Sequence, residues 1–185
     1  IQTSFLPDAL PNVAGWQLAA TLEPARETSG DFYDFYNLGD GVLGFVIADV
    51  VDKGMPAALF MAYSRNILRA SMIGATSAKS GITNANHTMC ADSAYGMFLT
   101  MVYTSLQADE GDVTYLNAGH NPPLLLRAGS DAIDELTRTG MLGGIEEEAT
   151  FEQQNLSLGT GDFIVFYTDG VVEAIRMGIT HTSNW

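Results

Sequence analysis

Apolar and β-favouring residues dominate two runs, 31–38 and 42–49, and Gly39-Asp40-Gly41 separates them. That pattern predicts two strands joined as a hairpin. Upstream, Gly15 to Leu22 predicts a first strand. Past Gly54 the period changes. Pro56 suits a first helical turn, and the apolar residues Phe60, Tyr63, Ile67 and Leu68 recur at helical spacing, which predicts a helix to about Ile73. Residues 74–96 are small and polar and predict a loop with a short helix near 82–92. Met97 to Leu106 and Val113 to Ala118 predict a second hairpin about Asp109-Glu110-Gly111-Asp112. Leu124 to Leu126, 149–158 and 162–168 read as further strands, and a last helix starts near Val171. Hairpin-linked strands with one long inserted helix define an α+β chain with antiparallel sheets, not a doubly wound one.

The first hairpin carries carboxylates to the strand ends. Asp31 follows Gly30, and Asp49 closes the run Phe45-Val46-Ile47-Ala48. A two-residue loop at 40–41 would place Asp31 opposite Val50 and turn Asp49 to the other face. A three-residue loop at 39–41 places Asp31 directly opposite Asp49, and Gly41 favours this second register. Two like charges would then face each other roughly 5 Å apart, which destabilises a sheet unless a cation bridges them. Oxygen-only ligation suits Mg²⁺ or Mn²⁺ rather than zinc. Asp169 ends a third apolar run, Phe163 to Thr168, and is followed by Gly170. Each acid taken singly also reads as an ordinary turn or helix cap.

Composition narrows the function classes. A chain of 185 residues that is 46% hydrophobic suits one globular domain. No apolar run approaches the roughly 18 residues of a membrane span. The formal charge of −14 argues against nucleic acid and anionic membranes as partners. It also requires local cations at any site that takes an anionic substrate. The one cysteine, Cys90, points to a reducing, cytoplasmic setting. The first residues have no signal-peptide pattern, and a start at Ile1 reads as a segment of a longer chain.

Four segments, "PARETSGDFYDF" (24–35), "IADVVDKGMPAALFMA" (47–62), "NAGHNPP" (117–123) and "FYTDGVVEA" (166–174), resemble the motif series of the RsbU/SpoIIE-type PP2C-like (PPM) serine/threonine phosphatases. The resemblance runs from about Phe5 to Ala174. It implies an α-β-β-α sandwich of two mainly antiparallel sheets flanked by helices, with residues 11–185 as the phosphatase domain and 1–10 as the end of a linker. It also implies a pair of Mn²⁺ or Mg²⁺ ions at one sheet edge. On that pattern Asp49 bridges the metals, Asp31 and the Val50 carbonyl hold one, and Asp169 holds the other. The catalytic agent would be a metal-activated water aimed at phosphorus.

Several residues carry two readings. Arg26 could clamp phosphate through bidentate hydrogen bonds or be a solvated surface side chain. Lys53 could serve the phosphate or a regulatory helix, and Asp52-Lys53-Gly54 suits a turn equally well. His120 could be a general acid, or it could join Asn117 in holding the turn into Pro122-Pro123. Gly30, Gly54 and Gly170 flank the acids as supporting residues.

The tail departs from the pattern. Family members continue into strands bearing an Asp pair, whereas nothing acidic follows Glu173 here. The domain is therefore expected to lack its C-terminal strands and one metal ligand. The resemblance implies a phosphorylated STAS-type anti-sigma-factor antagonist as substrate, and control by an upstream sensor domain or activator protein. It leaves a homodimer open. A non-catalytic regulatory module of the same fold, and a small-molecule phosphohydrolase, are the competing readings.

Overall fold

The computed structural model describes residues 5–24, 29–92 and 96–172. The strands are β1 (Phe32–Gly39), β2 (Val42–Val50), β3 (Leu99–Gln107), β4 (Asp112–Ala118), β5 (Leu124–Leu126), β6 (Ile133–Glu135), β7 (Gln154–Ser157) and β8 (Phe163–Val165). Helices α1 (Met55–Met72) and α2 (Ala78–Asp92) lie between β2 and β3. One sheet has the order β1-β2-β3-β4-β7 and the other β6-β5-β8. Every strand pair is antiparallel. No helix among the described residues is long and apolar enough to cross a membrane.

Strand alternation sorts the core into two. Phe32 and Tyr36 of β1 and Val46, Ala48 and Val50 of β2 point at the helices, where they meet Ala57, Met61 and Leu68 of α1 and Ile82, Ala85 and Met89 of α2. The opposite face of the large sheet meets the small one. Tyr115 packs there with Leu125 and Leu136, and the Phe45 and Phe166 rings meet edge-on at 4.9 Å. The order is thus helix, sheet, sheet. Residues 169–172 form a helical turn, so the expected last helix begins at Asp169 rather than near Val171, and its continuation lies outside the described residues.

The first hairpin keeps the register that sets Asp31 against Asp49, but by a different route from a simple three-residue loop. Phe32 pairs with Ala48 and Asn37 with Leu43. At the turn Gly39 pairs with Val42, so the loop itself is Asp40-Gly41, and an irregularity between Asn37 and Gly39 restores the other register. Positive φ at Gly39, Asp40 and Gly41 makes this tight reversal feasible.

Four other expectations are corrected. Residues 15–22 join no ladder. Residues 17–22 instead line a cleft with residues of β1, β2 and 164–168, and Trp16 Nε1 donates to the Ala108 carbonyl at 2.9 Å. Helix α2 starts a turn before 82, because Ser77 and Ser80 exchange side-chain-to-backbone hydrogen bonds across its first turn. The run 149–158 is paired with β4 only over Gln154–Ser157. The run 162–168 is a strand only over Phe163–Val165.

Candidate metal centre

The end of the large sheet gathers polar groups in one row. The Val50 N–H donates to the Gly30 carbonyl at 3.4 Å, so the β1–β2 pairing continues past Phe32–Ala48 and leaves Asp31 opposite Asp49. On the other side of β2, Asp49 pairs with Thr100 of β3. Side chains in register share a face. Asp31, Asp49 and Thr100 therefore line the side turned toward the small sheet, each partly exposed.

Local structure holds each group. The Asp31 N–H donates to Ser29 Oγ at 3.0 Å, and Thr168 Oγ1 donates to Asp31 Oδ2 at 2.9 Å. The second contact ties the segment after β8 to the end of β1. Gly30 is required by proximity: a Cβ there would lie 2.6 Å from the Val50 carbonyl oxygen and 3.3 Å from Asp49 Oδ1. Only a hydrogen leaves that oxygen and that carboxylate clear. Gly170 stands over the same place, since a Cβ on it would be 4.0 Å from Asp31 Oδ2.

Asp169 is exposed at the start of the helical turn. Among the described residues no three His, Cys, Asp or Glu side chains converge closely enough to form a metal cluster. The structure therefore joins Asp31, Asp49 and the Val50 carbonyl, and it brings Asp169 to the same sheet end without closing the three carboxylates together. Two partly exposed carboxylates beside a backbone carbonyl that a glycine leaves uncrowded fit a hard divalent cation.

Asn117 and His120 are buried. Asn117 Oδ1 accepts from the His120 N–H at 2.9 Å, and its Nδ2 donates to the Leu136 carbonyl at 3.2 Å, so Asn117 holds the turn. His120 Nδ1 lies 2.7 Å from Thr100 Oγ1. Burial pushes the imidazole pKa down to about 4, although the Tyr167 backbone and the Asp169 carboxylate act in the opposite sense. The ring is thus neutral at pH 7. Lys53 is exposed on a turn in which its N–H donates to Asp52 Oδ1 at 2.8 Å, and Gly54, at φ 80°, caps α1. Arg26 lies outside the described residues.

Sequence reasoning passed over Thr100, Thr168 and Asp34. Asp34 is fully buried on the helix-facing side of β1. It accepts from Arg65 Nη2 at 3.1 Å, Arg69 Nε at 2.9 Å and Arg69 Nη2 at 2.5 Å. A signal for it existed: Asp34 is in phase with Phe32 and Tyr36, and two arginines four residues apart face it from α1.

The layer order and the acidic sheet end define a PP2C-like phosphatase fold. Solved structures agree: the RsbU and RsbW domains of Rv1364c from Mycobacterium tuberculosis superpose with a TM-score of 0.69 at 30% identity, over 82% of this chain and 42% of that one. The PP2C phosphatase domain of SpoIIE from Bacillus subtilis gives a TM-score of 0.66 at 20% identity, over 84% of this chain and 44% of that one. The family model for Stage II sporulation protein E (SpoIIE) matches residues 39–183, and the chain belongs to that family. Its relatives include Protein IcfG of Synechocystis sp., 34% identical over 94% of this chain and 32% of IcfG. Phosphoserine phosphatase RsbU of Bacillus subtilis is 29% identical over 94% of this chain and 51% of RsbU. The chain thus spans about a third of the first relative and half of the second.

Proposed function

We propose that this chain hydrolyses phosphoserine or phosphothreonine on a signalling protein, in a metal-dependent reaction without a protein nucleophile. One observation carries the reading: the hairpin register sets Asp31 against Asp49 at a sheet end where Gly30 leaves the Val50 carbonyl clear. Membership of a family that includes proteins named phosphoserine phosphatases supports it.

Asp31, Asp49 and the Val50 carbonyl would hold one divalent ion, and Asp49 and Asp169 a second. When bound, Mn²⁺ or Mg²⁺ supplies an activated water and offsets charge on the phosphoryl oxygens. The protein's own contribution is placement. Thr168 fixes the orientation of the Asp31 carboxylate, and the ladder fixes Asp49 beside it. In a chain of charge −14, cations at this sheet end give a phosphate a place to bind. Arg26 and Lys53 would be the protein's own cations toward that phosphate. A STAS-type phosphoprotein fits as substrate. An upstream sensor or activator fits as regulator, because the relatives are longer than the matched segment. Residues 1–10 would then be linker and 11–185 the domain, in the cytoplasm.

A second reading has its own support. A regulatory module that keeps the fold without full metal binding agrees with the absence of a three-carboxylate cluster among the described residues. Hydrolysis of an aryl phosphate and of a phosphorylated STAS protein, measured against Mn²⁺ with Asp49→Asn as control, separates the two. The enzyme reading expects Mn²⁺-dependent turnover that Asp49→Asn reduces to the metal-free level. Equal inertness of both proteins in saturating Mn²⁺ selects the regulatory module.

A further inference from the structure

His120 sits at a junction that the turn alone does not explain. Its backbone N–H is taken by Asn117, so the turn is held without the ring. The ring is only 4% exposed, and its Nδ1 meets Thr100 Oγ1 at 2.7 Å. Thr100 is the cross-strand partner of Asp49. The other nitrogen, Nε2, is buried and has no hydrogen-bond partner among the described residues. A buried ring nitrogen without a well-aligned partner is costly and calls for a role. The Tyr167 backbone acts on the ring as a hydrogen-bond acceptor, and the Asp169 carboxylate acts on it only through its charge.

Resting on the metal-centre reading above, we infer that His120 is a positioning residue, braced by Thr100 beside Asp49 and holding the Tyr167–Asp169 segment through the Tyr167 backbone. The Thr100 hydroxyl donates to Nδ1, and this leaves the ring proton on Nε2. The Tyr167 backbone is the acceptor on the ring's side toward this segment, and holding it sets where Asp169, two residues on, stands as a ligand. Thr168, the residue before Asp169, already binds Asp31. Thr168 and His120 therefore hold one segment at two points, one toward β1 and one toward β3. A histidine that acted as general acid would leave its proton-bearing nitrogen open to substrate, whereas this one is enclosed.

The test is calorimetric titration of the metal-free chain with Mn²⁺, with thermal melts in EDTA beside it, for wild type, His120→Ala, His120→Gln, Thr100→Val, Asp169→Asn and Asp49→Asn. Loss of a group that orients a metal ligand lowers affinity about 10–100-fold, which is the expected result for His120→Ala. His120→Gln, which returns an N–H near Nε2, should recover most of it. Thr100→Val should weaken binding several-fold, in the direction of His120→Ala. The decisive readout is coupling: with Asp169→Asn in the background, the effect of replacing His120 should vanish. Unchanged Mn²⁺ affinity in His120→Gln, His120→Ala and Thr100→Val overturns the inference, whatever their melting temperatures. So does an effect that persists undiminished beside Asp169→Asn. If His120→Ala does not fold, Thr100→Val and its coupling to Asp169→Asn decide. Wild-type affinity in Asp49→Asn instead overturns the metal centre itself, so the two failures are distinguishable.

Discussion

Replacing Asp34 tests whether the protein's buried charge is structural. The carboxylate is fully buried, yet it accepts from three guanidinium N–H groups of Arg65 and Arg69 and from the Phe35 N–H at 2.9 Å. Arg69 also donates to the Phe35 carbonyl at 3.1 Å and lies 5.5 Å above the Tyr36 ring, so the group staples β1 to α1. Truncation to Asp34→Ala leaves two guanidinium groups facing an apolar void. Breaking a buried pair this way costs about 3–5 kcal/mol. The Arg69 side chain is 38% exposed and can swing its head into water, whereas Arg65, at 12%, cannot do so readily. The expected loss is therefore at the low end, about 3 kcal/mol. Urea denaturation followed by circular dichroism measures it as a lower midpoint at constant slope. Because the carboxylate is buried, 0.5 M NaCl should leave the difference nearly unchanged. Because it faces the helices and not the metal centre, the loss should be equal in Mn²⁺ and in EDTA. A loss below about 1 kcal/mol, or one that disappears with salt, would show a surface-type pair. A loss seen only in Mn²⁺ would assign Asp34 to the metal centre.

Two further outcomes follow from the site. Gly30→Ala puts a methyl 2.6 Å from the Val50 carbonyl oxygen, so the backbone must part; calorimetry should find weaker Mn²⁺ binding, and urea titration a loss of about 1–3 kcal/mol. Unchanged values for both would show that the approach is not tight. In EDTA, stability should depend on the protonation of His120, whose folded pKa of about 4 lies below the ordinary 6.5. The unfolded chain then takes up the proton first, so the contribution is complete above 6.5 and is lost as pH falls toward 4, by roughly 3 kcal/mol. Carboxylates titrate in part of the same window, so the measured quantity is the wild-type slope minus that of His120→Gln, and a difference of the opposite sign refutes the burial argument.

The strands that were legible in the sequence are apolar, β-rich runs bounded by turn residues. β2 is one, since Phe45 to Ala48 are all apolar, whereas the alternation of buried helix-facing residues with half-buried neighbours belongs to the structure alone. β6 left no such trace, since Ile133, Asp134 and Glu135 are all exposed and the strand exists through its pairing with β5. The reverse holds for 15–22, a run that lines a cleft over 17–22 and joins no ladder. Phe151 sits fully buried through an isolated bridge to Gly140, which made 149–158 look like one long strand.

The candidate site was legible to the same depth and for the same reason. Period two and a glycine-rich turn suffice to set Asp31 against Asp49, because both facts are local to one hairpin. What Asp49 meets on its other side depends on β3, which returns only after two helices. Thr100 is a plain residue in an apolar run until that pairing places it beside Asp49. His120 and the Thr168–Asp169 pair arrive from still later segments, and nothing in their spacing encodes the contact with Thr100 or with Asp31. Asp34 lies between these cases. Its phase within β1 is local and marks it as buried, while its partners come from α1 across the layer boundary. A buried acid in phase with two aromatic residues requires a cation somewhere in the fold, and Arg65 and Arg69, four residues apart on one helix, were the pair able to reach it together. Two acids of one hairpin thus met opposite demands: Asp34 found protein cations on the helix side, whereas Asp31, three residues earlier on the opposite face, faces Asp49 and accepts a hydrogen bond from Thr168.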